Sequence, residues 1–242
     1  MLKGKKIVLG VTGGIAVYKA VDLVSKLRKQ GAEVRVVMTE HAQQFVTPLT
    51  FKEISGNKVA VSMWNANQEF NVEHIALADW ADLFMVVPAT ANIIAKMAYG
   101  IADDLLSTTL LAAHSPVIVC PAMNTHMYEN PATQENIAKI KSRGIVVMPP
   151  ASGVLACGAV GAGRLPEPAD IVNFVKDFFA KTEGDMRGLK VLVTAAGTRE
   201  PIDPVRYVGN RSSGKMGYSL RGPPKGKLFG KMLFLRENDD EI

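Results

Sequence analysis

The segment Pro121-Ala-Met-Asn-Thr-His-Met127 follows directly on the apolar run Val117-Ile-Val-Cys120. An apolar run that ends in proline and then presents an asparagine reads as a buried strand opening onto a ligand site. Asn124 is an amide in an otherwise apolar strand end; it either donates to a carboxylate or ties down its own turn. Two other strand ends carry similar chemistry, Gly10-Val-Thr-Gly-Gly14 and Pro88-Ala-Thr-Ala-Asn92. Ligands of open α/β sheets gather outside the carboxyl ends of the strands, so these three ends point to one crevice.

At Thr12-Gly-Gly14 the glycines let backbone approach an anion, and a following helix N-terminus supplies N–H donors. The dinucleotide fingerprint is not met: its third glycine is missing and no acidic residue ends the second strand. Met38-Thr39 ends that strand instead, and a hydroxyl suits a phosphate better than a ribose diol. A single phosphate, as in a mononucleotide, fits best; the plain alternative is a tight strand-to-helix turn. Thr90 and Asn92 offer a hydroxyl and an amide that either meet a polar ring edge or cap the next helix. Asp103 opens a further helix, where capping alone would explain it. His74 begins a helix, and its imidazole can exchange a proton near neutral pH. His41, His114 and His126 have weaker claims, and their spacing suggests no metal site. Cys157 lies in a glycine-rich stretch able to carry a thiol onto a ligand, whereas Cys120 sits inside a strand as packing.

The elements that must position these groups alternate. Short apolar runs predict strands over 7–11, 34–38, 58–61, 83–87, 117–120 and 145–148. Helices are predicted over 15–29, 47–55, 75–81, 92–98, 104–113, 133–142 and 170–181; the first carries its apolar residues at Val17, Val21, Val24 and Leu27. Such alternation implies a Rossmann-like, flavodoxin-like α/β fold: a doubly wound, mostly parallel sheet with helices on both faces. Glycine and proline dominate 149–168, which reads as a structureless lid or binding loop. A polar linker over 182–188 precedes another apolar strand at 189–194, and too little chain remains for a second core. The tail 221–242 reads as disordered or weakly helical.

Composition narrows the function class. The 242 residues are 48% hydrophobic and 21% charged, as in ordinary globular proteins. The net charge of +5 comes without a basic cluster interleaved with aromatics, which argues against nucleic acid as a partner. Two cysteines make no disulfide framework. There is neither a signal peptide nor an apolar stretch near the roughly 18 residues of a membrane span, so a cytoplasmic location is expected.

Together the motifs Gly13-Gly-Ile-Ala-Val-Tyr-Lys19, His74-Ile, Pro88-Ala-Thr-Ala-Asn92, Pro121-Ala-Met-Asn124 and Leu155-Ala-Cys-Gly158 resemble the bifunctional coenzyme A biosynthesis flavoproteins. The first half of that family is phosphopantothenoylcysteine decarboxylase; the second is phosphopantothenate–cysteine ligase. The resemblance covers residues 5–219. It implies FMN held by Thr12, Gly13, Gly14, Ile15, Thr39, Pro88, Ala89, Thr90, Asn92, Asp103 and Met123. It also implies His74 as base, Asn124 on the substrate carboxylate, and Cys157 protonating an enethiolate. Met127, Ala156 and Arg164 complete the substrate side. In the family the thiol carbon is oxidised to a thioaldehyde, CO2 leaves, and electrons return from the flavin, giving 4′-phosphopantetheine with no net oxidation.

The family is homo-oligomeric, as trimers or dodecamers with the flavin at subunit boundaries. By the same resemblance, 1–181 is a decarboxylase domain and 189–220 the start of a ligase domain cut short before its nucleotide-binding motifs. CTP-dependent ligation is therefore expected to be absent. The rival readings are a peptidyl-cysteine decarboxylase, a flavin prenyltransferase sharing the fold, and an FMN-binding regulatory subunit without turnover.

Overall fold

Six apolar runs fold as β1 (Lys6–Val11), β2 (Glu33–Met38), β3 (Val59–Ala60), β4 (Leu83–Ala89), β5 (Val117–Pro121) and β6 (Val146–Val147). They form one sheet in the order β3-β2-β1-β4-β5-β6, every neighbouring pair parallel. The structure is a computed structural model that describes residues 2–64, 73–154, 160–182 and 199–209. All seven residues of β4 are buried, as a strand covered on both faces must be. With the two-residue edge β3 set aside, the order is that of the flavodoxin-like sheets, with its switch point between β1 and β4. The doubly wound α/β fold predicted from the alternation is the fold observed.

The crossovers are α1 (Val17–Lys29), α2 (Glu40–Gln43), α3 (Pro48–Ser55), α4 (Glu73–Trp80), α5 (Ala91–Tyr99), α6 (Leu105–Ala112), α7 (Thr125–Glu129) and α8 (Pro131–Ser142). Their main mutual contacts fall into two sets, α1 with α3, and α4, α5, α6, α7 and α8 together, as two covered faces require. Against the second set lies a core of Val8, Phe84, Val86 and Val119 with Ile94 and Leu106. Gly10 in β1 belongs to this packing, since a Cβ there would stand 2.5 Å from Leu106 Cδ1.

Several expectations change. The first helix starts at Val17, not at 15, because the chain needs Gly14–Ala16 to turn out of β1. It buries Val17, Lys19, Ala20, Leu23, Val24 and Leu27, a stripe rotated so that Val21 is only half-buried. The short helices α2 and α7 were not anticipated. The largest correction concerns 149–168, which is not structureless. It carries β7 (Ala151–Val154) and β8 (Val160–Arg164), an antiparallel hairpin with Gly153 opposite Gly161. The residues between these strands, 155–159, lie outside those described, and with them Ala156 and Cys157.

The hairpin leads into α9 (Pro168–Thr182), whose Ile171 and Val175 are fully buried. The chain divides into two compact units, Met1–Lys176 and Asp177–Ile242. Within the second, β9 (Arg199–Pro201) and β10 (Tyr207–Gly209) pair antiparallel. Their turn is held by Asp203, which accepts from Val205 N at 2.9 Å and Arg206 N at 2.7 Å. The predicted strand 189–194 and the tail 221–242 lie outside the described residues.

Candidate functional site

The carboxyl ends of the central strands finish level, with Val11 beside Met38, Gly10 beside Val86 and Ala89 beside Pro121. The Thr12, Thr39, Thr90 and Asn124 ends therefore meet at the switch point, where a doubly wound sheet opens.

At the β1 end, α1 begins without a side-chain cap and with no acidic residue in its first turn. The backbone N–H groups of Gly13, Gly14 and Ile15 have no acceptor among the described residues. Unclaimed donors at a helix N-terminus make an anion site. Gly14 leaves room for one, since a Cβ there would meet only Thr90 Cγ2 at 3.9 Å. Gly13 has a different reason to be glycine: a Cβ would lie 2.5 Å from His41 Cβ and 2.8 Å from the His41 backbone. These features fit the phosphate end of a mononucleotide such as FMN.

Each nearby hydroxyl has a definite job. Thr12, 2% exposed, donates from Oγ1 to Pro88 O at 2.7 Å and accepts from Thr90 N at 3.2 Å, pinning the β1 and β4 ends together. Thr39 caps α2, accepting from Ala42 N at 3.3 Å, and Thr90 caps α5, accepting from Ile93 N at 3.4 Å. Thr39 Oγ1 also donates to Val11 O at 3.5 Å, whereas Thr90 accepts through a lone pair and keeps its proton to donate, so capping and ligand binding are compatible at Thr90. Asn92 and Ile15 are exposed on the lip, whereas Pro88 and Ala89 are buried in β4.

At the β5 end, Asn124 caps α7 with Oδ1 accepting from His126 N at 2.9 Å. The carbonyl end of the amide thus accepts from its own turn. Met123 donates its N–H to Gly163 O at 3.0 Å, so β8 is seated on this loop. A Cβ on Gly163 would stand 2.4 Å from Met123 O, and one on Gly161 would stand 2.6 Å from the Thr125 side chain. Met127 is half exposed on α7.

Three candidates stand differently from expectation. Asp103 is not the helix cap; Asp104 is, its Oδ1 accepting from Ser107 N at 2.8 Å in a capping box. Asp103 instead pairs with Lys96 at 2.6 Å, and that hydrogen bond holds its carboxyl below the usual range. Arg164 is bound to Glu167 at 2.7 Å. His74 is half-buried in the first turn of α4, and no hydrogen bond joins it to Thr12, Thr39, Thr90 or Asn124.

One residue went unread: Lys19, with 7% of its side chain exposed, donates to Leu165 O at 3.1 Å and Glu167 Oε1 at 2.9 Å. The signal was available, since Lys19, Leu23 and Leu27 fall at spacings of four on the buried stripe. A cavity of about 150 Å³ lies elsewhere, against the first residue of β5, and its lining includes none of the candidate residues.

Comparison with known proteins agrees with this geometry. A family model described as Flavoprotein matches residues 1–180, and one described as DNA/pantothenate metabolism flavoprotein C-terminal domain matches 186–222. The coenzyme A biosynthesis bifunctional protein CoaBC of Vibrio vulnificus is 52% identical over 219 residues, covering 90% of this chain and 54% of that protein. The chain thus spans about half the length of the curated relatives it matches. Among solved structures, a PPC decarboxylase mutant complexed with pantothenoylaminoethenethiol is similar at 32% identity and TM-score 0.65, covering 73% of this chain and 99% of that one. The FMN-dependent cysteine decarboxylase SpaF is similar at 30% identity and TM-score 0.64, covering 74% and 99%. On the match across 1–180 and the near-complete coverage of these folds, the chain belongs to the flavoprotein family.

Proposed function

We propose that the chain catalyses FMN-dependent decarboxylation of 4′-phosphopantothenoylcysteine to 4′-phosphopantetheine, a carboxy-lyase step of coenzyme A biosynthesis. The observation that carries the reading is the uncapped start of α1 with three unclaimed N–H groups, level with Asn124 across the switch point. One end offers a seat for a phosphate, the other an amide for a carboxylate. Likeness to CoaBC over 219 residues supports the substrate.

FMN, when bound, would supply the redox chemistry, an acceptor and then a donor of electrons for the carbon beside the substrate sulfur. The chain's residues bind and move protons. Gly13, Gly14 and Ile15 would hold the cofactor phosphate through backbone N–H groups, with the Thr90 hydroxyl donating to it and Thr39, whose hydroxyl donates to Val11 O, beside it. Asn124 orients the substrate carboxylate, His74 takes a proton, and Cys157 returns one to the enethiolate carbon.

Among the described residues His74 makes no hydrogen bond to Thr12, Thr39, Thr90 or Asn124, which is compatible with a site completed by a neighbouring copy in a homo-oligomer. Ile15 and Tyr18 at the start of α1, Phe45 between α2 and α3, and Leu49 in the first turn of α3 are 50–62% exposed, an apolar rim suited to such a neighbour. No helix among the described residues is long and apolar enough to cross a membrane. We assign residues 1–181 to the decarboxylase and 189–220 to the start of a ligase domain.

Likeness to the peptidyl-cysteine decarboxylase EpiD favours a second reading, with a peptide ending in cysteine as substrate. Purified chain loaded with FMN should release CO2 from 4′-phosphopantothenoylcysteine and much less from a peptide ending in cysteine. A colourless protein that takes up no FMN, or the reverse substrate preference, overturns the proposal.

A further inference from the structure

We propose that Lys19 is a positioning residue, clamping the end of β8 to α1 and thereby fixing where Asn124 stands relative to the phosphate seat. The claim that this spacing matters for turnover rests on the decarboxylase reading; the clamp itself does not.

Nothing local explains a lysine at this place. It is in the first turn of α1, where the helix dipole disfavours a cation, and its side chain is only 7% exposed. An ammonium so buried is tolerated only with good partners. Its partners are Leu165 O at 3.1 Å and Glu167 Oε1 at 2.9 Å, both just beyond the last residue of β8. The same Glu167 oxygen accepts from Arg164 Nη2 at 2.7 Å, so the carboxylate gathers the strand's final residue into the clamp.

From there the path to Asn124 has no slack. The bond from Met123 N–H to Gly163 O is 3.0 Å long, and Gly161 and Gly163 stand too close to Thr125 and Met123 to admit even a methyl group. A shift of β8 must therefore move the 123–125 loop. At its other end, Lys19 belongs to the helix that starts from Gly13–Ile15. The clamp ties together the two points that bound cofactor and substrate must span, and a misplacement of about 1 Å between reacting groups can cost about 10²-fold in rate.

Full-length Lys19→Met and Lys19→Arg variants test this, with amide hydrogen exchange followed in peptides covering 121–125 and 160–165. Lys19→Met should raise exchange in both peptides while leaving those of β1 and β4 protected, and Lys19→Arg should restore most of the protection. With FMN bound at full stoichiometry, kcat/KM should fall about 10- to 100-fold in Lys19→Met. Glu167→Gln, at a largely exposed side chain, should give the same pattern more weakly. It keeps the test decisive if Lys19→Met does not fold. Unchanged exchange at 121–125 in Glu167→Gln, or uniform loosening of the whole domain in Lys19→Met, overturns the clamp. If the parent chain releases no CO2, the decarboxylase reading falls while the exchange arm still decides the clamp.

Discussion

Replacing Gly163 by alanine isolates the contact on which the crevice depends. Gly163 has φ +129°, and a Cβ there would sit 2.4 Å from Met123 O, a backbone atom with nowhere to go. Two costs follow: about 1–3 kcal/mol for placing a side chain in a backbone region that favours glycine, and about 1–3 kcal/mol for the collision. Gly153, across the same hairpin, separates them. Its φ is +148°, but its Cβ would meet only Arg164 Nη1 at an ordinary 3.7 Å. Both variants bear the backbone cost, and Gly163→Ala alone bears the collision. At about 2–4 °C per kcal/mol for a chain of this size, Gly163→Ala should melt roughly 2–12 °C below Gly153→Ala. Scanning calorimetry on the two proteins measures the difference directly. Gly163→Ala should also expose the Met123 N–H to exchange. Coincident melting curves would show that β8 is not packed against the Asn124 loop as described, and the clamp argument would fail with it.

Other consequences are separately testable. Thr12→Val keeps the shape but takes the donor from Pro88 O and the acceptor from Thr90 N; a loss of about 1–3 kcal/mol in urea unfolding is expected, and one within about 0.5 kcal/mol would refute the pin. Burial pushes the Cys120 thiol from its ordinary 9.0 up to about 12, so in a Cys157→Ser chain no thiol should react with a disulfide reagent at pH 8 until denaturant is added. The folded state holds that proton more tightly than the unfolded one, so this group's contribution is intact below pH 9 and declines between pH 9 and 12; a Cys120→Ala chain should lack that decline. Burial raises the Asp104 carboxyl, but hydrogen bonds from Lys96 and Ser107 outweigh it and hold it below its ordinary 3.8. Its stabilisation is present above that pH and lost as pH falls further. Asp104→Asn should therefore melt lower than the parent at pH 7 and converge with it in acid; a constant gap would refute the assignment.

The sheet was legible because its strands are apolar on both faces, and β1, β2, β4 and β5 stand within a residue or two of where their runs predict them. The lips were legible because glycine and hydroxyl residues at strand ends have few other uses in an α/β fold. The hairpin was not. Ala-Ser-Gly-Val and Val-Gly-Ala-Gly-Arg lack the β-branched alternation of ordinary strands, and two of their glycines answer to a collision with residues some forty positions earlier. Adjacent Asp103 and Asp104 look alike in sequence; only the direction of chain entry into α6 makes the second the cap and leaves the first to Lys96. Thr12 reads as a free hydroxyl until the pairing of β1 with β4 brings Pro88 O within 2.7 Å. The hairpin and Thr12 turn on long-range contacts that no local pattern encodes.

The two lips of the crevice are built on opposite principles. The β1 end is organised by what it lacks among the described residues: no cap, no acidic side chain in the first turn, no acceptor for three successive N–H groups. Such a seat needs an anion to complete it, and it favours any phosphate of suitable reach. The β5 end is organised by what it already has, with Asn124 Oδ1 and Met123 N both engaged by the protein's own backbone. An amide oxygen tied to its own turn fixes the plane in which the side chain lies, which makes this lip the more exacting of the two. Binding energy from the permissive lip can then be used to hold substrate against the exacting one, a division that places discrimination beside the bond to be broken.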